Sequence, residues 1–391
     1  MNRLLKSLLS LSMGTFALGM AEFSMMGILP DVASTLHLSL DQAGHFIAAY
    51  AIGVCSGASI LVICYRIPPK KVLLLLATLI AVGNTLAALA TGYYSLLAAR
   101  FLSGFPHGAY FGIASIVATK LAPTGRSARA VALMIAGMTV ANLIGVPFAT
   151  WISLHLSWRL VFILVALVAI GLLFTLKHFI PNLESLPYKN IQSQFAFLKS
   201  GAPWLLLAAT TLGNGGIFCW LSYVSPLLTK VSGFSANQVS LLMILAGAGM
   251  VAGNLCGGRL ADRFTPGQVA AALQCTAGIV LLLIFLFAQI SWLSVILMCL
   301  CTFCLFAVSA PQQLLLIRFS PGGALLGAAS VQMAFNLGNA IGSYSGGLMI
   351  SHHFGYQYPA LIGIPMTLAG CSCLLFFHYR YEIKTKTISN S

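Results

Sequence analysis

Four residues in this chain could do chemistry in surroundings that offer none. Glu22 and Asp31 lie in or at the edge of the apolar run Leu8 to Ala33, and Arg100 and His107 lie in another. A carboxylate at mid-membrane depth costs about 2.5 to 3.5 kcal/mol on insertion scales, so it is a functional candidate by default. The chain has only 6 acidic residues, and two of them sit here. The first run would rise through the membrane and the one holding Arg100 would descend. Asp31 and Arg100 are therefore expected at one level, toward the outside. Glu22 and His107 lie nine and seven residues deeper, about 13 and 10 Å at 1.5 Å per residue. Such a set can take up and release a proton. It can also be a static ion pair locking two helices, or an Arg that snorkels while Asp31 caps a loop.

A second polar set carries no full charge. It comprises Asn142, Asn214, Gln312, Gln313 and, at i, i+4 and i+7, Gln332, Asn336 and Asn339. Amides on one helix face are either interhelical hydrogen-bond glue, worth about 0.6 kcal/mol each, or donors and acceptors for a polar substrate. Tyr50, Tyr110, Phe111, Phe218, Trp220 and Tyr223 lie near the same level. They could stack on a ring or simply pack.

The elements that must position these residues are membrane spans. With 59% hydrophobic and 7% charged residues in 391, the composition excludes a soluble core. Apolar runs broken by Pro, Gly or basic clusters predict twelve transmembrane helices. The first six cover about 8–30, 43–64, 71–92, 95–120, 128–154 and 158–179; the others cover about 202–228, 237–258, 268–289, 292–317, 323–350 and 356–379. Arg3 and Lys6 ahead of the first run mimic a signal peptide, but that run is too long and lacks a small-residue cleavage site. It reads as a retained helix. The ten cysteines fall within predicted helices, and the C-x-x-C of Cys301 and Cys304 has no partner motif. They read as packing residues, with no metal site.

A basic excess would suggest nucleic acid in a soluble protein, but here it falls in short clusters between spans, so no nucleic acid is expected. With the N-terminus cytoplasmic, only Arg159 and Lys230 fall in outer segments and Arg100 lies within a span. The positive-inside rule therefore places both termini inside. Residues 181–201 form the longest polar interval and divide six spans (1–180) from six (202–391). Asn142-Leu-Ile-Gly145 recurs as Asn339-Ala-Ile-Gly342, 197 positions on, and Gly57 answers Gly257. Such an echo suits two six-helix halves related by a pseudo-two-fold axis along the membrane normal, with substrate at the midplane.

The run Gly258-Arg-Leu-Ala-Asp262-Arg263, the span-four Arg100, the pair Pro30-Asp31 and the six-plus-six layout resemble the major facilitator superfamily. Phe105-Pro-His-Gly-Ala-Tyr-Phe-Gly112 and Ala141-Asn-Leu-Ile-Gly-Val-Pro147 are similar to its drug:proton antiporter-1 group, especially the arabinose efflux permease-like members. The resemblance implies an all-α membrane protein with the major facilitator fold. It implies proton coupling at Glu22 and Asp31 with Arg100 as their basic partner, a kink at Gly145-x-Pro147, and gating at Gly258, Asp262 and Arg263. The loop after span two, with Arg66, Lys70 and Lys71, lacks the Asp usual there in this family.

The function expected is export of a small sugar-like, nucleoside-like or amphipathic drug-like compound in exchange for protons, with no other cofactor. The protein is expected to be a monomer in a bacterial inner membrane. Proton-coupled or passive import is the alternative within the fold. An intramembrane enzyme is disfavoured because Asp31 has no second Asp at its depth, and a sensor because no segment is long enough for a further domain.

Overall fold

A computed structural model describes residues 3–57, 60, 64, 66–123, 127–184, 196–320 and 324–383. The chain folds into two compact units, Met1–Lys189 and Asn190–Ser391. In the first, α1 is Arg3–Thr35, α2 Leu40–Gly57, α3 Pro69–Ala88, α4 Tyr93–Leu121, α5 Ser127 to His155 and α6 Trp158–Phe179. In the second, α7 is Gly201–Lys230, α8 Ala236–Arg263, α9 Pro266–Phe287, α10 Ser291–Arg318, α11 Ala324–Ser351 and α12 Tyr358–Glu382. Ten of these are long and apolar enough to cross a membrane by the described residues alone. The others, α2 and α11, carry Asp41, Gln42 and His45, and Gln332, Asn336 and Asn339, which dilute their hydropathy. The expected twelve-span arrangement is present. Most of the polar interval, 185–195, lies outside the described residues.

Proline shapes three of these helices in different ways. Pro30 was expected to end the first span, but α1 runs through it to Thr35. In α4 the helix breaks at Phe105 and restarts with Pro106 at its first position, where a missing N–H costs nothing. In α5 a π-helical turn, Ala141–Gly145, precedes Pro147. The wider turn accommodates the ring that an α-helical register would drive into the preceding carbonyl.

Lipid is as apolar as leucine, so helices here associate through close packing and hydrogen bonds. In the N-terminal unit α1 packs on α5 and α6, α2 on α4, and α3 on α6. The C-terminal unit repeats this pattern, with α7 on α11 and α12, α8 on α10, and α9 on α12. Side chains bond to backbone across these seams. Thr15 Oγ1 donates to Met134 O at 2.6 Å, Gln274 Nε2 to Ala209 O at 3.0 Å, and Tyr223 Oη to Ser343 O at 2.9 Å. At the end of α12, both Glu382 carboxylate oxygens accept from Gly267 N at 3.1 Å and one lies 2.8 Å from His378 Nδ1. This carboxylate satisfies an orphan amide in the first turn of α9 and opposes that helix dipole.

The closest seams need glycine. A Cβ on Gly57 would overlap the Phe105 carbonyl oxygen, and one on Gly257 would overlap that of Ala307. The echo of Gly57 and Gly257 is thus one contact built twice, α2 on α4 and α8 on α10. Gly258, one residue on, has no such contact, for a Cβ there would meet nothing within 4 Å. Close approach belongs to its neighbour. Gly257→Ala should accordingly lower stability by about 1 to 3 kcal/mol. Gly258→Ala should leave it unchanged or raise it by up to about 1 kcal/mol. Thermal unfolding of the two variants in one detergent distinguishes them.

Candidate functional site

The N-terminal unit is assembled around a buried cation. Arg100 on α4 is fully buried. Its Nη1 donates to Ala21 O on α1 at 2.8 Å and its Nε to Phe46 O on α2 at 3.3 Å. The guanidinium carbon lies 4.5 Å from the centre of the Tyr50 ring and 5.5 Å from that of Phe162. Carbonyl dipoles and two π faces replace the hydration a guanidinium would have in water.

Glu22, the residue after that carbonyl, is also buried. Its Oε2 lies 3.8 Å from Nδ1 of His107, which is fully buried and stacked on Phe111 at 5.2 Å. The same Nδ1 is 2.9 Å from the Tyr50 hydroxyl, and that hydroxyl is 3.4 Å from Leu18 O. Glu22, His107 and Arg100, expected together from sequence, therefore converge. Tyr50, expected against substrate, is enclosed between Arg100, His107 and α1 instead.

Asp31 is not in this cluster, which corrects the expected pairing with Arg100. Its carboxylate accepts a 2.5 Å hydrogen bond from Ser153 Oγ on α5. The Arg100 guanidinium sits at the level of Ala21, ten residues before Asp31, or about 15 Å along the helix. Ser153 was missed from sequence because a lone serine in an apolar run gives no signal of a partner 122 residues away.

Of the other expected substrate contacts, Tyr110 is committed to packing: its hydroxyl donates to Leu11 O at 3.1 Å, and a Cβ on Gly14 would collide with its ring. Phe218 is buried edge-on against Phe335 at 5.1 Å. Asn142 lies in the π-helical turn of α5. Among the described residues, neither side-chain amide atom of Asn142, Asn214 or Gln312 has a hydrogen-bond partner, though all three are buried. Asn336 Nδ2 donates to Gln332 O at 3.0 Å, leaving its Oδ1 without a hydrogen bond. Gln313 is exposed and Gln332 is half-buried. Unsatisfied buried amides cost about 1 to 3 kcal/mol each, so they mark places where another polar group belongs.

A family model described as Major Facilitator Superfamily matches residues 11–330. The chain belongs to this superfamily. It is 43% identical over 373 residues, 95% of each chain, to AraJ of Escherichia coli strain K12, a protein named as a transporter. It is 29% identical over 266 residues to the chloramphenicol resistance protein of Streptomyces lividans, covering 67% of this chain and 68% of that one. The crystal structure of the D-xylose-proton symporter matches with a TM-score of 0.75 at 17% identity, over 96% of this chain and 97% of that one. That likeness is one of fold. The protein is a multi-pass major facilitator transporter with efflux-type relatives, and not an enzyme.

In this major facilitator transporter the residues expected to gate are placed as follows. Gly145 closes the π-helical turn against Met20 on α1, and Pro147 lies in the first turn of the α-helix that resumes at Val146. Arg263 is exposed at the end of α8, and the Asp262 side chain lies outside the described residues.

The geometry of the cluster makes a double-mutant cycle decisive. Asp31→Asn and Arg100→Gln should have additive effects on detergent stability, within about 0.5 kcal/mol. Glu22→Gln and Arg100→Gln should deviate from additivity by about 1 kcal/mol or more. Coupling between Asp31 and Arg100 instead would restore the pairing corrected above.

Proposed function

We propose that this transporter exports a small sugar-like, nucleoside-like or amphipathic drug-like molecule by alternating access, driven by protons moving inward. The observation that carries the reading is the buried Glu22 carboxylate 3.8 Å from His107. A carboxylate and an imidazole share a proton readily, and a bilayer position has no stabilising reason to hold either. Inward proton movement supplies about 2.3 kcal/mol per charge per 100 mV. The likeness to the chloramphenicol resistance protein of Streptomyces lividans supports outward movement of an amphipathic compound.

Selection of the substrate belongs to the amides. The C-terminal unit carries Asn214, Gln312, Gln313, Gln332 and Asn336, whereas Glu22, Arg100 and His107 all lie in the N-terminal unit. Amides donate and accept without titrating, which suits recognition of a neutral polar molecule. We further propose that the protein acts as a monomer in the bacterial inner membrane with both termini cytoplasmic. The distribution of Lys and Arg supports that orientation.

In everted vesicles, the wild type should couple substrate movement to proton flux, and Glu22→Gln should reduce uphill export at least tenfold at unchanged expression. The amide keeps the shape of the carboxylic acid but cannot ionise. Wild-type uphill export by a well-expressed Glu22→Gln variant would remove Glu22 from the mechanism.

The two units can be separated by a second measurement. Asn336→Ala should change the ranking or apparent affinity of two or more substrates several-fold, without moving the pH midpoint of transport between about pH 5.5 and 8.5, the range around the unperturbed His value. His107→Asn should move or flatten that profile while preserving the ranking. Equal pH shifts in both variants would replace this division of labour with one shared site.

A further inference from the structure

Tyr50 occupies the centre of the buried cluster without being charged. Its ring is the platform under Arg100 at 4.5 Å, and its hydroxyl lies 2.9 Å from His107 Nδ1 and 3.4 Å from Leu18 O. The α2 backbone at Tyr50 is held directly against α4, where a Cβ on Gly104 would overlap the Tyr50 carbonyl oxygen. A hydroxyl so fixed has one proton and two acceptors to choose between. His107 has the complementary choice: Nδ1 faces both Tyr50 and Glu22, while Nε2 is buried with no hydrogen-bond partner among the described residues.

We propose that Tyr50 is a positioning residue whose hydroxyl selects the nitrogen of His107 that carries the proton, and thereby sets when His107 can accept the proton of Glu22. This deepens the proton-coupling reading above and rests on it for its transport consequence. With Tyr50 O–H donating to Nδ1, His107 is neutral, its proton is on Nε2, and Nδ1 cannot bond to Glu22. When the hydroxyl turns to Leu18 O, the Nδ1 lone pair is released. The Glu22 carboxyl O–H bond can then break as an Nδ1–H bond forms, giving a carboxylate and an imidazolium. No other reactant is required.

The surroundings leave this choice to Tyr50. Of the elements packed around His107, α1 brings Glu22 and α2 brings Tyr50, whose ring carries Arg100 on its face. On α3 the only charged residues are Lys70 and Lys71, in its first turn. On α5, Arg129 lies at the Ser127 end with its side chain outside the described set, and His155 lies at the other end. Phe111, stacked on the imidazole, holds the ring plane without a competing polar atom.

The test is Tyr50→Phe, which keeps the platform for Arg100 and deletes the hydroxyl. In protein with imidazole-15N-histidine, His107 is identified as the signal absent from His107→Asn, and its protonated and unprotonated nitrogens are resolved by NMR. The wild type should show Nδ1 unprotonated. Tyr50→Phe should shift the population toward Nδ1–H, because Glu22 is then the nearest partner. An unchanged tautomer ratio overturns the proposal, whatever transport does. If Tyr50→Phe does not fold, fluorinated tyrosine, a stronger donor, should strengthen the bond to the unprotonated Nδ1 and move its 15N resonance, and an unmoved resonance there overturns the proposal equally.

Transport supplies the second arm. Tyr50→Phe should move the pH midpoint of uphill export by at least half a pH unit while leaving substrate ranking intact. That shift should vanish in a His107→Asn background. A uniform loss of rate with no change in midpoint would reduce Tyr50 to packing. If wild-type vesicles show no proton flux with substrate, the exporter reading fails, and the tautomer measurement still decides the role of Tyr50.

Discussion

A guanidinium buried in an apolar bundle must be solvated by the protein itself, and the N-terminal unit is arranged to do so. Arg100 takes one carbonyl from α1, one from α2 and two aromatic faces. Each of these partners restricts something else. Bonding to Ala21 O fixes the level of Glu22, and lying on Tyr50 fixes the hydroxyl that reaches His107. Losing the cation would therefore release three helices at once. A carboxylate brought near it gains a favourable field in a medium that screens weakly, which is the condition for a proton to be held and released at a defined place.

The packing that brings these helices together relies on backbone contact. Where Gly57 meets the Phe105 carbonyl, and Gly257 that of Ala307, no side chain separates the helices. Such seams are stiff against separation but have few interlocking side chains to resist sliding, a property useful in a transporter. The π-helical turn of α5 and the break at Phe105 in α4 lie on helices that both contact α1. Both interrupt the hydrogen-bond ladder next to the site, where a small change in helix geometry costs least.

The two units share one pattern of helix pairing and differ in chemistry. Glu22, Arg100 and His107 gather in the first, whereas of the three buried amides without a hydrogen bond among the described residues Asn214 and Gln312 lie in the second and Asn142 in the first. A buried amide that is satisfied contributes to stability, whereas one without a hydrogen bond carries a desolvation cost. Asn214 and Gln312 are of the second kind. Asp31 belongs to neither group: bonded to Ser153, it ties α1 to α5.

Much was readable in the sequence because a membrane makes composition and period nearly sufficient. Every backbone polar group must be satisfied within its own segment, so apolar runs become helices and basic clusters report their order. Twelve spans, two halves, the Gly57 and Gly257 echo and the isolation of Glu22 all follow from such local signals. Lateral partners do not. Matching depths by counting residues set Asp31 beside Arg100, but the guanidinium sits at the level of Ala21, and hydroxyls such as Ser153 compete for carboxylates. Gly258 and Gly257 are adjacent in sequence, yet only their rotation about the helix axis decides which touches α10. Tyr50 is one aromatic among several until Gly104 admits its backbone and Arg100 covers its ring. Residue type set the chemistry available to this protein, while rotation, reach and helix contact, which depend on all elements at once, decided which groups meet.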